Sequence, residues 1–422
     1  MALTRLLTLF ALALIWGAED QGRYAIAVTV LMVASIVLAG GMEIANAYFA
    51  SRRGPRMALV VNSVVVSLVA AAAAAIVVPL AYPLLPILTD LGETYEVLLA
   101  ISIGPMVLYI TLGGLMAGAG HFKQMFLTTA ATSTLQLTIV AVVALSNAPP
   151  AMIFGGYVAS VFAAASAYAA VLVKMGAGSP FDRRLAVETA SYSVRVYPLN
   201  TLNWAAFRLD LLLVASILST ASAGVYALLS SLTEGLLYVA KSVAPTLFAA
   251  RAAGRQDDHG IDVPYRVVAA LTLIGATLLA FLVGPVLLAH LGPPYDAAML
   301  VLVALCLAML PMSIATVATF ELAARGTPEL AWRGSLAAVI LTVGLVPFAA
   351  QLFGLLGVAV VCVLAYGASA AIAIRLLPGA PSTVLGVVQA LVPRRTDLRH
   401  SINIIPGGKR LLMASLQRHS DR

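Results

Sequence analysis

Apolar residues fill this chain in runs of about twenty, separated by short polar breaks, and the alternation continues almost from end to end. A run of 18 or more nearly uncharged apolar residues crosses a hydrocarbon core of about 30 Å as an α-helix, because each residue rises about 1.5 Å. Taking runs as spans and breaks as loops predicts helices at about 2–17, 24–49, 57–85, 96–117, 125–146, 150–173, 197–218, 224–250, 265–290, 297–320, 332–351 and 355–377. The fold expected is an all-α polytopic membrane protein with about twelve transmembrane helices. The first is short, ending at Gly17 and interrupted by Arg5. No small-x-small cleavage pattern follows it, so it is expected to stay in the membrane rather than to leave as a signal peptide.

Composition closes off the soluble classes. The chain is 61% hydrophobic and 10% charged, whereas soluble domains carry about 25% charged residues. Its formal net charge of +7 marks a membrane side instead of a nucleic-acid partner. With the N-terminus inside, only Arg23 falls in an outer loop, Arg208 and Lys241 lie within spans, and every other Lys and Arg is on the inner side. The outer loops hold Glu19, Asp20, Asp90, Glu93, Glu96 and Asp296. Both termini are therefore expected in the cytoplasm of a bacterium, with the chain in its inner membrane. Cys306 and Cys362 fall inside apolar spans and are read as helix-packing residues. The outer loops are too short to carry a soluble-type active site, so no enzyme, cofactor or metal centre is expected, and Asp257-Asp258-His259 is read as a solvated loop.

Four segments follow: a six-helix half over 1–173, a linker over 174–196, a second six-helix half over 197–377 and a basic tail over 378–422. The linker mixes Phe181, Leu185, Val187, Tyr192, Val194 and Val196 with Asp182, Arg183, Arg184 and Arg195, which suits either an interfacial helix or a plain connection. An offset near 200 residues brings Gly22-Arg23-Tyr24 onto Gly224-Val225-Tyr226, and Phe49-Ala50-Ser51-Arg52 onto Phe248-Ala249-Ala250-Arg251. Helix 2 thus corresponds to helix 8 in the same orientation, so the halves are parallel repeats around a central cavity.

Five ionisable residues sit inside the predicted spans: Glu43 in helix 2, Arg208 and Asp210 in helix 7, Glu234 and Lys241 in helix 8. A charge at the bilayer centre costs a few kcal/mol, so such groups face a bundle interior or a wet cavity. Glu234 and Lys241 are seven residues apart and share a face of a continuous helix, as do Asn203 and Asp210, whereas Arg208 points away from Asp210. The repeat sets Glu43 within a residue of Lys241. These charges form either a structural ion-pair network or a cargo site; their concentration on three central helices favours a site of Arg208, Lys241, Asp210, Glu234, Glu43 and Asn203. The polar stripe Thr129, Thr132, Ser133 and Gln136 is read as interhelical bonding, and Gly114 with Gly118 as a close helix contact.

Two stretches resemble polysaccharide-exporter-type oligosaccharide flippases of the multidrug, oligosaccharidyl-lipid and polysaccharide (MOP) flippase superfamily. One is Gly22-Arg23-Tyr24 through Gly40-Gly41-Met42-Glu43 to Tyr48-Phe49-Ala50-Ser51-Arg52. The other is Leu199-Asn200-Thr201-Leu202-Asn203 with Phe207-Arg208-Leu209-Asp210 and Ser222-Ala223-Gly224-Val225-Tyr226. The resemblance implies a V-shaped pair of six-helix halves that carry a polyprenyl-diphosphate-linked oligosaccharide to the outer leaflet by alternating access. It implies further that Arg208 and Lys241 engage the diphosphate or acidic sugars. Membrane lipids, a coupling cation and glycan-assembly enzymes are the partners implied, around a monomer. A drug or small-molecule antiporter of the same superfamily is the alternative, and a membrane glycosyltransferase or polymerase using Glu19 and Asp20 a more distant one.

Overall fold

The computed structural model describes residues 2–54, 56–146, 148–175, 181–252, 263–295, 298–325, 328–380 and 384–392. Arg255, Asp257-Asp258-His259, Asp296 and the basic stretch from 393 to 422 lie outside the described residues. Every regular element described is a helix: α1 (Ala2–Ile15), α2 (Gly17–Ala39), α3 (Met42–Arg53), α4 (Met57–Ala81), α5 (Pro86–Thr89), α6 (Glu93–Gly118), α7 (Phe122–Ser146) and α8 (Ala151–Met175) come first. α9 (Arg183–Ile217), α10 (Thr220–Glu234), α11 (Leu237–Ala252), α12 (Val263–Leu278), α13 (Gly284–Ala289), α14 (Met299–Ala324), α15 (Pro328–Arg375) and α16 (Val384–Leu391) follow.

Eight of the described helices are long and apolar enough to cross a membrane. The last of them joins two helices across Gly354, whose φ of 59° and ψ of −142° interrupt it. A further crossing is the pair α10 and α11, bent by 45°. The short apolar α1 and the charge-bearing α9 complete the twelve.

Three boundaries differ from those expected. Residues 18–23 are not a loop but the opening turns of α2, where Arg23 bridges Glu19 at 2.6 Å and Asp20 at 3.1 Å. That pairing neutralises the one cation that the charge pattern leaves among the acidic loops. The single span 24–49 is two helices, because Gly40 and Gly41 take φ of 59° and 81°, the left-handed region that costs a side-chain-bearing residue dearly. The linker has no end at 196: α9 starts at Arg183, where the Asp182 side chain accepts the Leu185 N–H at 3.0 Å, and runs unbroken through Pro198 to Ile217.

The chain packs as two compact units. The first comprises Met1–Leu232, Ala289–Ala298 and Thr342–Val358; the second comprises Thr233–Leu288, Met299–Leu341 and Ala359–Arg422. In the first, small residues let backbones touch. A Cβ at Gly114 of α6 would strike the Glu43 carbonyl, and one at Gly118 the Ala47 carbonyl, so the close contact expected of this pair is made with α3. Phe49, Leu59, Leu112, Leu115, Tyr168 and Leu172 close the apolar core beside it. In the second unit α14 packs against α11 and α12.

Candidate functional site

α9 buries two charges. Arg208 and Asp210 are each 6% exposed, an expensive placement unless each is given neighbours that replace water. Arg208 stands 5.0 Å from the centre of the Phe207 ring. Asp210 accepts the Tyr226 hydroxyl of α10 at 2.5 Å and the Leu211 N–H at 2.8 Å. The half-buried Tyr157 of α8 lies within electrostatic reach of Arg208 and also of Arg5 on α1.

Arg5 is the residue that sequence reasoning missed, because near a chain terminus it counted as one more cation of the inner side. Its signal lay in the repeat. An offset of 203 residues relates Arg5 to Arg208, against 202 for Gly22 and Gly224, so the two arginines are counterparts on the first helix of each repeat. Their tyrosine neighbours are counterparts too. Tyr24 accepts from Gln136 Nε2 at 3.0 Å, which also reaches Thr8 at 3.4 Å; of the polar stripe of α7, Gln136 bonds between helices, whereas Thr132 donates back to the Thr128 carbonyl of its own helix. Tyr226, 202 residues on, donates to Asp210.

The remaining expected site residues are dispersed. Glu43 is half-buried in the first turn of α3, just after the Gly40–Gly41 break, and Asn46 beyond it donates to Ser63 at 2.8 Å and to the Thr111 carbonyl at 3.0 Å. Asn203 is half-buried on α9, two turns before Asp210. Glu234 and Lys241 belong to the second unit. They lie on separate helices: Glu234 ends α10, the 45° break follows, and Lys241 is on α11 with its ammonium 5.6 Å from the Tyr238 ring centre. The shared stripe expected for them assumed one straight helix, so their common face does not follow from spacing. Lys241 is exposed, and Glu43 and Lys241 fall in different units.

The start of α2 carries a second use of the repeat. A Cβ at Gly22 would meet the Thr220 carbonyl, and one at Gly224 the Ala18 carbonyl. Each glycine thus receives the carbonyl four residues before the other, which brings α2 and α10 into reciprocal backbone contact. Beside this contact lies a cavity of about 600 Å³ lined by Glu19, Pro86, Asp90, Ser216 and Ser219. Tyr295 donates to Gln21 at 2.5 Å nearby, and Gln21 donates to the Leu9 carbonyl at 2.9 Å.

The second unit holds a buried acid that the predicted span boundaries left just outside the membrane. Glu321 of α14 is fully buried and accepts from Tyr265 at 2.7 Å and from Arg325 at 2.7 Å. A carboxylate satisfied in this way by its own neighbours holds α12 against α14.

In chemical terms, the first unit holds two guanidinium groups, of Arg5 and Arg208, that both act electrostatically on Tyr157. Guanidinium forks match phosphate oxygens two at a time, and they gain strength where water is scarce. Among the described residues no three His, Cys, Asp or Glu side chains gather closely enough to hold a metal ion.

Known proteins resemble the chain at two levels. Among solved structures, an inward-facing multidrug resistance MATE family transporter of the MOP superfamily superposes with a TM-score of 0.71 at 12% identity, covering 92% of this chain and 94% of its own. The lipid II flippase MurJ in its inward closed conformation gives 0.69 at 11% identity, covering 98% and 94%. A MOP superfamily transporter from Pyrococcus furiosus gives 0.54 at 13% identity, covering 92% and 93%. These likenesses establish the fold. No curated protein sequence matches the chain. A sequence profile describing polysaccharide biosynthesis proteins matches residues 11–299, well over half of the 422 residues. The chain therefore belongs to the polysaccharide biosynthesis protein family and carries the fold of MOP-superfamily transporters.

Proposed function

We propose that the chain is a flippase that moves a polyprenyl-diphosphate-linked oligosaccharide from the cytoplasmic to the outer leaflet of a bacterial inner membrane, both termini being cytoplasmic. The observation that carries this reading is the buried Arg208 and its repeat counterpart Arg5, both within electrostatic reach of Tyr157, in a chain of the polysaccharide biosynthesis family. A diphosphate is the part of such a cargo that needs paired guanidinium groups. Within the first unit Asp210 fixes Tyr226, and Glu43 and Asn203 are assigned to the same polar lining; Lys241 and Glu234, which belong to the second unit, are assigned there as further cargo contacts. Turnover of this kind makes and breaks no covalent bond, in keeping with a transporter acting as a monomer beside glycan-assembly enzymes.

Deleting the gene tests the proposal. Lipid-linked oligosaccharide is expected to accumulate where an external glycosidase reaches it only after permeabilisation, and Arg208→Ala at normal protein level should reproduce the block. Complete surface glycan in a deletion strain without a second flippase overturns it. The second reading, a drug antiporter, is favoured by the fold shared with the multidrug transporter. Increased drug sensitivity with intact glycan would select it.

A further inference from the structure

The inner end of α3 and the first turns of α9 together build an arginine and tyrosine cluster that transport of the cargo does not use. Tyr48 and Tyr192 stack with ring centres 4.5 Å apart and planes 14° from parallel. Each ring carries a guanidinium: Arg52 is 4.6 Å from the centre of Tyr48, and Arg195 is 5.7 Å from the centre of Tyr192. Beside the stack, Glu188 accepts from Arg53 at 2.8 Å and from Arg184 at 3.0 Å. The two arginines, Arg184 first, hold the Glu188 carboxyl below the usual carboxylate range. Glu188 thus pairs with two of the four arginines, and among the described residues no carboxylate pairs with Arg52 or Arg195. Asp182, the other acid of this segment, caps α9 by accepting the Leu185 N–H.

Length and exposure give this cluster a membrane setting. The 35 residues of α9 extend about 52 Å at 1.5 Å per residue, more than a bilayer with its headgroups, about 40–45 Å. Its first turns must therefore run through or along an interface. The outward face of those turns is apolar: Val187 is 62% exposed and Val194 72%, seven residues apart and so on one face, with Ala190 and Pro198 beside them. Exposed arginines flank that stripe. An apolar face bordered by uncompensated guanidinium groups suits acyl chains below and a phosphate above.

We propose that this cluster is a binding site for an anionic phospholipid, with Arg52 and Arg195 holding the headgroup phosphate and the Val187–Val194 face covered by its acyl chains. The lipid would clamp α3 to α9 and so make the position of helix 2 depend on membrane composition. The inference holds whichever cargo the protein carries.

The test uses the purified full chain in neutral detergent, titrated with phosphatidylglycerol or with phosphatidylcholine of the same acyl chains, with thermal unfolding as the readout. Phosphatidylglycerol should raise the midpoint and phosphatidylcholine should not. The double variant Arg52→Gln with Arg195→Gln should weaken the phosphatidylglycerol effect about 30-fold in concentration, the factor that corresponds to about 1 kcal/mol per arginine. Arg333→Gln with Arg375→Gln, which removes the same charge elsewhere, should leave it unchanged. Equal responses to the two lipids, or equal losses in the two double variants, overturn the proposal. So does a midpoint raised by farnesyl diphosphate and not by phosphatidylglycerol, which would make the cluster a cargo-headgroup site. If the double variant does not fold, a photoactivatable phosphatidylglycerol on the unaltered protein decides the matter. Crosslinks to peptides 48–53 and 183–195 support the site, and their absence overturns it.

Discussion

Helices 2 and 8 occupy matching places in the repeat and both break in mid-course, yet their C-terminal halves are held differently. α3, the C-terminal half of helix 2, has its backbone against Gly114 and Gly118 of α6, and Gly41 at its start lies under the Ser193 carbonyl of α9. Asn46 ties it further to Ser63 and Thr111. α11, the C-terminal half of helix 8, buries Ala240 and Ala244 but leaves Tyr238 48% exposed and Lys241 exposed. One break therefore opens onto a tightly packed helix and the other onto a helix with an accessible cation. The difference separates the two counterparts of the sequence: Glu43 opens a closely packed helix, whereas Lys241 stands on an exposed face of its own.

The largest effect that would break this comparison is expected at the glycine contact. Gly114→Leu forces a side chain into the Glu43 backbone, so it should cost about 3 kcal/mol or more and sharply reduce the yield of folded protein. Lys241→Leu in the counterpart helix should leave the yield unchanged; equal losses from the two would erase the distinction. Next comes the buried cation. Arg208→Ala should lower transport about a hundredfold or more at normal protein level, since truncating one member of a buried, hydrogen-bonded charge network costs about 2–5 kcal/mol. Lys241→Gln should cost about tenfold in transport, in the range of one hydrogen bond to a charged group, with no change in thermal unfolding.

The smallest effect concerns the tie between α3 and α9. Glu188 has its carboxyl pKa lowered by Arg184 and Arg53, so its contribution to stability is complete above the ordinary carboxylate pKa. It is lost as pH falls through the lowered folded value. Thermal unfolding measured from pH 6 downward should show a slightly larger drop for the wild type than for Glu188→Gln. Identical profiles would remove Glu188 from the link.

Much of this architecture was legible because a bilayer permits few solutions. Apolar runs gave the helices, and Gly22 and Gly224 announced a repeat that reappears as reciprocal backbone contact. The charge-bearing helix at 197–218 was legible as an apolar run, but its start at Arg183 was not, because the charges of the preceding segment read as a linker. The breaks were harder to see. Gly40-Gly41 stands in an apolar run long enough to continue as helix, and only the approach of α9 shows why the chain turns there. The site itself was partly visible. Arg208 and Asp210 were found by their burial cost, but Arg5 near the terminus and Glu321 at a span end escaped because sequence position was read as depth. Tertiary structure decided both: Arg5 comes within electrostatic reach of Tyr157, and Glu321 bonds Tyr265 and Arg325.

The most direct test reconstitutes the full chain in proteoliposomes with a polyprenyl-diphosphate-linked oligosaccharide and follows the fraction of cargo that an external glycosidase can cleave. The wild type should expose the cargo of the inner leaflet with time, while Arg5→Gln with Arg208→Gln should leave it protected, although protein level and orientation are the same. Wild-type liposomes in which the cargo stays protected, or a double variant that exposes it at the wild-type rate, would contradict the account.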